Sequence, residues 1–213
     1  MSGLPPEVAA TLRARLALSQ ERGAIGPAGL DFHLAHAAAF AVIAGELNAS
    51  IRRFVDLGSG GGLPGLVVAA LLLGAHGVLL DGRVERARLL EEHVGALGWQ
   101  ERIEVVALRA EEAGRGPLRG AADLVVARGF APPAVTAECA APLLGVGGIL
   151  VVSEPPESAP ARRRWDDDVL RTLGLERRAV PETGWSFAAF CQVQNVPGRY
   201  PRRTGIPAKR PLF

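Results

Sequence analysis

Two stretches near the start of the chain, residues 6 to 22 and 31 to 48, place apolar residues at the three-and-four spacing of a helical face. Between them, Gly23-Ala24-Ile25-Gly26-Pro27-Ala28-Gly29 supplies the glycines and the proline that interrupt a helix. Beyond this helical segment the pattern changes to short apolar runs alternating with longer amphipathic ones. Strands are expected at 53 to 57, 77 to 81, 103 to 108, 123 to 127 and 148 to 153, and helices at 63 to 74, 84 to 97, 132 to 143 and 162 to 173. This alternation calls for right-handed crossovers and a doubly wound, mostly parallel sheet with helices on both faces. The last two runs, 176 to 181 and 186 to 193, flank Glu182-Thr183-Gly184-Trp185 and predict a closing antiparallel hairpin, making seven strands. Glu154-Pro155-Pro156-Glu157-Ser158-Ala159-Pro160 reads as a surface loop.

A length of 213 residues suits one sizeable core. The expected organisation is a short N-terminal helical appendage (1–50), an α/β domain (51–196) and a basic C-terminal tail (197–213). With 48% hydrophobic and 22% charged residues the chain is globular in composition. No apolar run reaches the roughly 18 residues of a membrane span, and Met1-Ser2-Gly3-Leu4-Pro5-Pro6 lacks the charged and apolar regions of a secretory signal. A soluble, cytoplasmic protein without a membrane partner is expected. Cys139 and Cys191 have no Cys-x-x-Cys partner, so neither a zinc site nor a disulfide is expected. His33 and His36 share a helix face without a carboxylate-rich motif, a pattern of packing or solvation rather than metal binding.

Net charge is only +2, but Arg199, Arg202, Arg203, Lys209 and Arg210 crowd a tail that holds no acid. That tail is a candidate RNA-binding patch, with Tyr200 available for stacking. Lys209 is the only lysine, so the abundance of arginine by itself says nothing about phosphate. By contrast, Arg164-Trp165-Asp166-Asp167-Asp168, with Arg162 and Arg163 before it, reads as a salt-bridged helix start.

The strongest local signal is Asp56-Leu57-Gly58-Ser59-Gly60-Gly61-Gly62-Leu63-Pro64-Gly65, a strand end running through glycines into a helix. This is the arrangement by which backbone N–H groups approach a nucleotide without Cβ interference. Gly60 to Gly65 also fits the dinucleotide template G-x-G-x-x-G, so the glycines do not separate NAD from S-adenosylmethionine. Three acids favour the latter. Asp56, two residues before Gly58, is placed to hold the cationic methionine moiety, for which NAD has no counterpart. Asp81 ends the second strand, where a ribose diol is bound. Glu111, just past the third, stands where an adenine amino group is read. One such acid is ordinarily a helix cap; acids ending three successive strands beside a glycine cluster resemble the class I methyltransferase pattern, a Rossmann-like fold.

The residues resemble the bacterial 16S ribosomal RNA guanine-N7 methyltransferase family, also called glucose-inhibited division protein B, over most of 30 to 213. The resemblance rests on the Asp56 to Gly65 loop, on Arg109-Ala110-Glu111-Glu112, on Val126-Ala127-Arg128-Gly129-Phe130-Ala131, and on the tail from Arg199 to Leu212. It implies that Gly58, Leu63, Ala110, Glu111 and Arg128 contact the cofactor and that the acceptor is a guanine of ribosomal RNA. With Asp56, Gly60, Gly62 and Asp81 these make up the expected cofactor set; no metal is expected and no catalytic residue is assigned. Three places depart from the family pattern. Phe32-His33 stands for Arg-His, Glu85 for a lysine after the second strand, and Ser153-Glu154 for Lys-Gly, each removing or reversing a positive charge.

Methyl transfer needs in-line positioning more than side-chain chemistry. A guanine N7 lone pair needs no base, in keeping with a sequence that shows no catalytic triad. No Asn/Asp-Pro-Pro-aromatic motif follows the fourth strand, which argues against exocyclic amino groups as acceptors. Arg128 ends that strand and is placed to offer paired donors to a guanine edge or to hold cofactor and phosphate. Trp99 and Trp185 receive no role. The expected activity is S-adenosylmethionine-dependent methylation, with S-adenosylhomocysteine as product and small-subunit RNA as partner. A small-molecule methyltransferase, a non-catalytic S-adenosylmethionine-binding protein and an NAD-dependent oxidoreductase remain as alternatives.

Overall fold

The computed structural model describes residues 5–48, 50–156 and 164–213. Two helices, α1 (Pro6–Glu21) and α2 (Leu30–Leu47), precede the sheet. Then follow β1 (Arg53–Leu57), α3 (Gly65–Leu71), β2 (His76–Leu80), α4 (Val84–Leu97), β3 (Ile103–Val106), α5 (Ala110–Ala113) and β4 (Ala122–Ala127). The chain continues through α6 (Pro133–Ala140), β5 (Leu144–Ser153), α7 (Asp167–Thr172), β6 (Leu175–Arg178), β7 (Phe187–Gln192) and α8 (Ile206–Lys209).

The seven strands lie in the order β3-β2-β1-β4-β5-β7-β6. β1 to β5 are parallel, and β7 runs antiparallel to both β5 and β6. This is the expected doubly wound sheet closed by a hairpin, with β7 inserted between β5 and β6. The order reverses at β1 and β4, so the crevice where such sheets bind ligands opens beyond the carboxyl ends of those two strands.

Both faces of the sheet are covered, and strand alternation divides the core in two. Phe54, Leu79, Ile103, Leu124, Val126 and Val151 face one layer with Leu12 and Leu16 of α1, Phe40 and Ile43 of α2, and residues of α3 and α4. Val55, Leu57, Leu80, Val125, Leu150 and Phe190 face the other with α6, α7 and Tyr200 of the tail. α2 has the length and composition of a membrane span, with a mean hydropathy of 1.3 over 18 residues, although no unbroken apolar run marks it. Here that apolarity lies against the sheet, with Phe40, Ile43 and Ala44 fully buried.

Element ends differ from expectation where proline or glycine intervenes. α3 is shorter, and the expected helix at 132 to 143 divides into α6 and a 3-10 turn (Ala141–Leu143) containing Pro142. β5 begins at Leu144, with a register shift against β4 between Ala122 and Leu124. β6 stops at Arg178, before Pro181, which has no N–H for a ladder, so the link to β7 is longer than the expected turn. α7 starts at Asp167, where Asp166 accepts from the N–H groups of Asp168 and Val169. The 157 to 160 part of the expected loop and residues 162 and 163 of the expected helix lie outside the described residues.

Candidate functional site

Asp56 is the last acid of β1 and has no exposed surface. Its Oδ2 accepts from Gly65 N at 2.9 Å, at the start of α3, while Oδ1 is buried without a partner. Burial, opposed by the hydrogen bond from Gly65, pushes the carboxyl up to about 7, while the Ser59 hydroxyl donates to the Asp56 backbone carbonyl at 3.0 Å. An unpaired oxygen in such a place is costly unless a donor or cation arrives.

The N–H groups of Gly58, Ser59, Gly60 and Gly62, expected from the sequence to approach a ligand, have partners within the protein. Gly58 N and Ser59 N both donate to Leu80 O at 2.8 and 3.0 Å, and Gly62 N donates to Ser59 O at 2.8 Å. Gly60 N donates to Asp81 Oδ2 at 2.9 Å. The glycines serve close approach instead. A Cβ on Gly61 would lie 2.7 Å from Ile25 Cγ1 and 2.9 Å from Ala24 O, so the loop between α1 and α2 sits directly on this turn. One on Gly58, whose φ is +78°, would lie 2.6 Å from Phe130 Cδ2.

Asp81 is 6% exposed, and its Oδ1 accepts from Arg83 N at 2.9 Å, which leaves each oxygen a further lone pair. Asp56, Gly58, Gly60, Gly62 and Asp81 are thus joined through direct bonds and the shared turn, and the Leu63 side chain packs into the core below. Ala110 and Glu111 open α5 at the neighbouring strand end, and Glu111 Oε1 accepts from Gly205 N at 2.9 Å. One oxygen of this acid therefore faces the tail.

Arg128 follows β4; burial pulls its guanidinium below its ordinary range, and the charge of Asp56 partly opposes this. Its Nη2 donates to His33 Nδ1 at 2.6 Å, and Nη1 has no partner. His33 Nε2 lies 3.0 Å from Gly26 O, so an Nε2–H tautomer satisfies both ring contacts, donating to Gly26 O and accepting from Arg128. His36, one turn on, has an unpartnered Nδ1 and is pushed down to about 4, chiefly by burial and then by Arg128, so it is uncharged at neutral pH. His33 thus occupies Nη2 of Arg128, and Nη1 is left without a partner.

Beside Arg128 a cleft of about 1250 Å³ opens over the ends of β4 and β5. Its walls include Phe32, His36, Trp185 and Phe187, with Glu154 and Glu182. Phe32, His36 and Trp185 received no such role from the sequence. They come from α2 and from the link before β7, distant in the chain, and no local motif marks them. Trp99, by contrast, is a core residue.

The tail is a packed strap. Arg119 donates to the carbonyls of Val196, Pro197 and Tyr200, and Arg115 donates to that of Pro201. Arg202 donates through N and Nε to Glu138 Oε1, both at 2.8 Å, and through Nη2 to Oε2 at 2.6 Å. Tyr200 is 8% exposed, so its ring belongs to the core and is not free for stacking on RNA. Arg199, Arg203, Lys209 and Arg210 are exposed. No group of three or more metal-binding side chains occurs among the described residues.

The sequence model of the family described as rRNA small subunit methyltransferase G matches residues 31–158. Ribosomal RNA small subunit methyltransferase G of Dictyoglomus thermophilum is 32% identical over 174 residues, covering 78% of this chain and 71% of that protein. The protein of the same name from Rubrobacter xylanophilus is 36% identical over 173 residues, covering 75% and 65%. Among solved structures, a cofactor-bound protein from MTB superposes with a TM-score of 0.58 at 21% identity, covering 92% of this chain and 93% of its own. An O-methyltransferase from Bacillus cereus in complex with SAH gives 0.56 at 13%, covering 85% and 90%. At these identities the two structures speak for the fold alone.

Proposed function

The chain belongs to the rRNA small subunit methyltransferase G family, and from that premise and the crevice geometry we propose that it transfers a methyl group from S-adenosylmethionine to a guanine N7 of small-subunit ribosomal RNA. The observation that carries the cofactor reading is Asp56: a buried carboxylate with one oxygen unpartnered, beside a turn whose N–H groups are mostly engaged. A dinucleotide diphosphate needs free donors at this turn. An α-amino cation needs the acceptor that Asp56 offers.

S-adenosylmethionine supplies a methyl group activated by its sulfonium. In this reading Asp56 holds the methionine amino group and Asp81 the ribose hydroxyls. Gly58, Gly60 and Gly62 let the turn lie close, Leu63 shapes it from below, and Ala110 and Glu111 border the adenine. Arg128, tethered by His33, keeps one nitrogen for the donor–acceptor junction. A guanine N7 would bring a lone pair already free and the thioether would leave with the C–S electron pair, so the work left to these residues would be alignment. The exposed cations Arg199, Arg203, Lys209 and Arg210 are the RNA-backbone candidates, whereas the Arg202 guanidinium is occupied by Glu138.

Purified protein is expected to transfer radiolabel from S-adenosylmethionine to small ribosomal particles from a strain lacking its own copy of the enzyme; cofactor binding without label would refute the acceptor. S-adenosylhomocysteine at a hundred times its Kd stabilises by about 2.7 kcal/mol, raising the thermal midpoint of a domain this size by roughly 5 to 10 °C. NAD is expected to leave it unchanged.

The tail yields a separate prediction. Replacing Arg203, Lys209 and Arg210 together by alanine is expected to weaken RNA binding at low salt and to reduce the slope of log K against log salt by about 2 to 3. Calorimetry with S-adenosylhomocysteine should not register the change. An unaltered salt slope would remove these residues from the RNA contact.

A further inference from the structure

The acceptor side of the site carries a feature that no sequence motif announced. Phe32 and Trp185 meet edge to face at 4.8 Å between centroids, and His36 meets Trp185 at 5.1 Å in the same manner. His36 stacks on Phe187 at 5.2 Å, and Phe187 is pinned edge-on by Phe40 of the core at 4.8 Å. The wall is therefore anchored in the core at one end and open at the other, where Phe32 is 50% exposed. A cluster that only fastened the β7 link to α2 would gain most by closing over its rings. This one fronts a cleft of about 1250 Å³ that also holds Arg128.

Polarity limits what enters. Glu154 and Glu182 line the cleft, so a phosphate inside it would meet carboxylates; Glu154 is already bound by Arg164 and by the Trp165 N–H. Two buried nitrogens among the lining residues, Arg128 Nη1 and His36 Nδ1, lack partners. A π-surface beside unsatisfied polar atoms, with the exposed carboxylate of Glu182 at its rim, fits an uncharged planar heterocycle with hydrogen-bonding edges, while the charged backbone stays outside. The positions that lack the family's cations, Phe32 and Ser153-Glu154, line this same cleft. Stacking is available there in place of phosphate neutralisation.

We propose that this wall is the platform on which the acceptor base, splayed out of the RNA, stacks, with Trp185 and Phe32 as positioning residues. The inference rests on the methyltransferase reading above. Trp185 comes from the link between β6 and β7 and Phe32 from the first turn of α2, so the base is held between the sheet's antiparallel end and the N-terminal helices. Arg128 lines the same cleft as this wall.

The test compares Trp185→Ala and Trp185→Phe with the wild-type chain, each first shown by calorimetry to bind S-adenosylhomocysteine normally. Trp185→Ala is expected to lower kcat/KM on small ribosomal particles by about tenfold or more, mainly through KM. Trp185→Phe, which keeps an aromatic face, should recover to within about threefold of wild type. Guanosine monophosphate added to the protein saturated with S-adenosylhomocysteine should quench tryptophan emission in the wild type and not in Trp185→Phe. The proposal is overturned if Trp185→Ala matches wild type, or if Trp185→Phe is as impaired as Trp185→Ala. Should the wild-type chain label no RNA, the acceptor assignment fails and the quenching decides alone: its presence keeps the platform for a purine base, and its absence removes it.

Discussion

Replacing Asp56 by asparagine is expected to weaken S-adenosylhomocysteine binding by about tenfold to a hundredfold, the range of one charged hydrogen bond, and to lower methyl transfer at least as far. Asparagine preserves the shape of the side chain, and its oxygen can still accept from Gly65 N. It then turns an NH2 group toward the place where an ammonium is to be held. Asp56→Ala should lose binding and also leave Gly65 N unsatisfied at the head of α3. Calorimetry on both variants separates a lost ligand contact from a damaged turn. Undiminished binding by the asparagine variant would contradict the role given to Asp56.

The same residue sets a pH dependence whose sign follows from its burial. The folded protein keeps the Asp56 proton up to about pH 7, whereas an aspartate in the unfolded chain loses it near 3.8. Between those values the folded state binds more protons, so this group's contribution to stability is complete below 3.8 and is lost as pH rises through about 7. The ligand-free protein should therefore melt lower at pH 8 than at pH 6, and Asp56→Asn should flatten that difference. Binding of a cationic amine runs the other way. It requires the carboxylate, so affinity for S-adenosylhomocysteine should rise with pH by at most a factor of ten per unit and level off above about 7. Affinity that fell across this range would exclude Asp56 as the partner of the cation.

How much of this was legible in the chain depended on whether the cause was local. β1, the glycine turn and α3 are consecutive, and the switch from period 2 to period 3.6 across Asp56 to Gly65 announces them. What the spacing does not show is where the glycine N–H groups find their partners. Which carbonyl receives Gly58 N is decided by Leu80, on a neighbouring strand. Similarly, Tyr200 read as a free stacking ring because nothing nearby reveals that Arg115 and Arg119, some eighty residues earlier, hold its strap against the sheet. α5 is four residues long, too short for helical periodicity to show. The aromatic wall joins Phe32 to Trp185 across most of the chain, so single-sequence spacing had no means of pairing them.

Arg202→Ala is expected to destabilise the protein by about 3 to 5 kcal/mol, the cost of leaving a buried carboxylate without its partner, which for this chain length lowers the midpoint by roughly 6 to 20 °C. Glu138 has no exposed surface and takes the backbone N, Nε and Nη2 of Arg202; without the guanidinium only the backbone N remains. Arg202→Lys should rescue little, since an ammonium cannot reproduce the paired geometry. Glu138→Gln, which removes the buried charge and leaves a partly exposed guanidinium for water, should cost less than Arg202→Ala, and the double variant less than the sum. The strap also carries Gly205, whose N–H holds Glu111 at the edge of the crevice. A tail loosened at Arg202 should therefore bind S-adenosylhomocysteine more weakly even where it remains folded, whereas Arg203→Ala should leave both midpoint and cofactor affinity in place. Equal effects of the two substitutions would mean that the tail acts only as a basic patch, with no structural hold on the site.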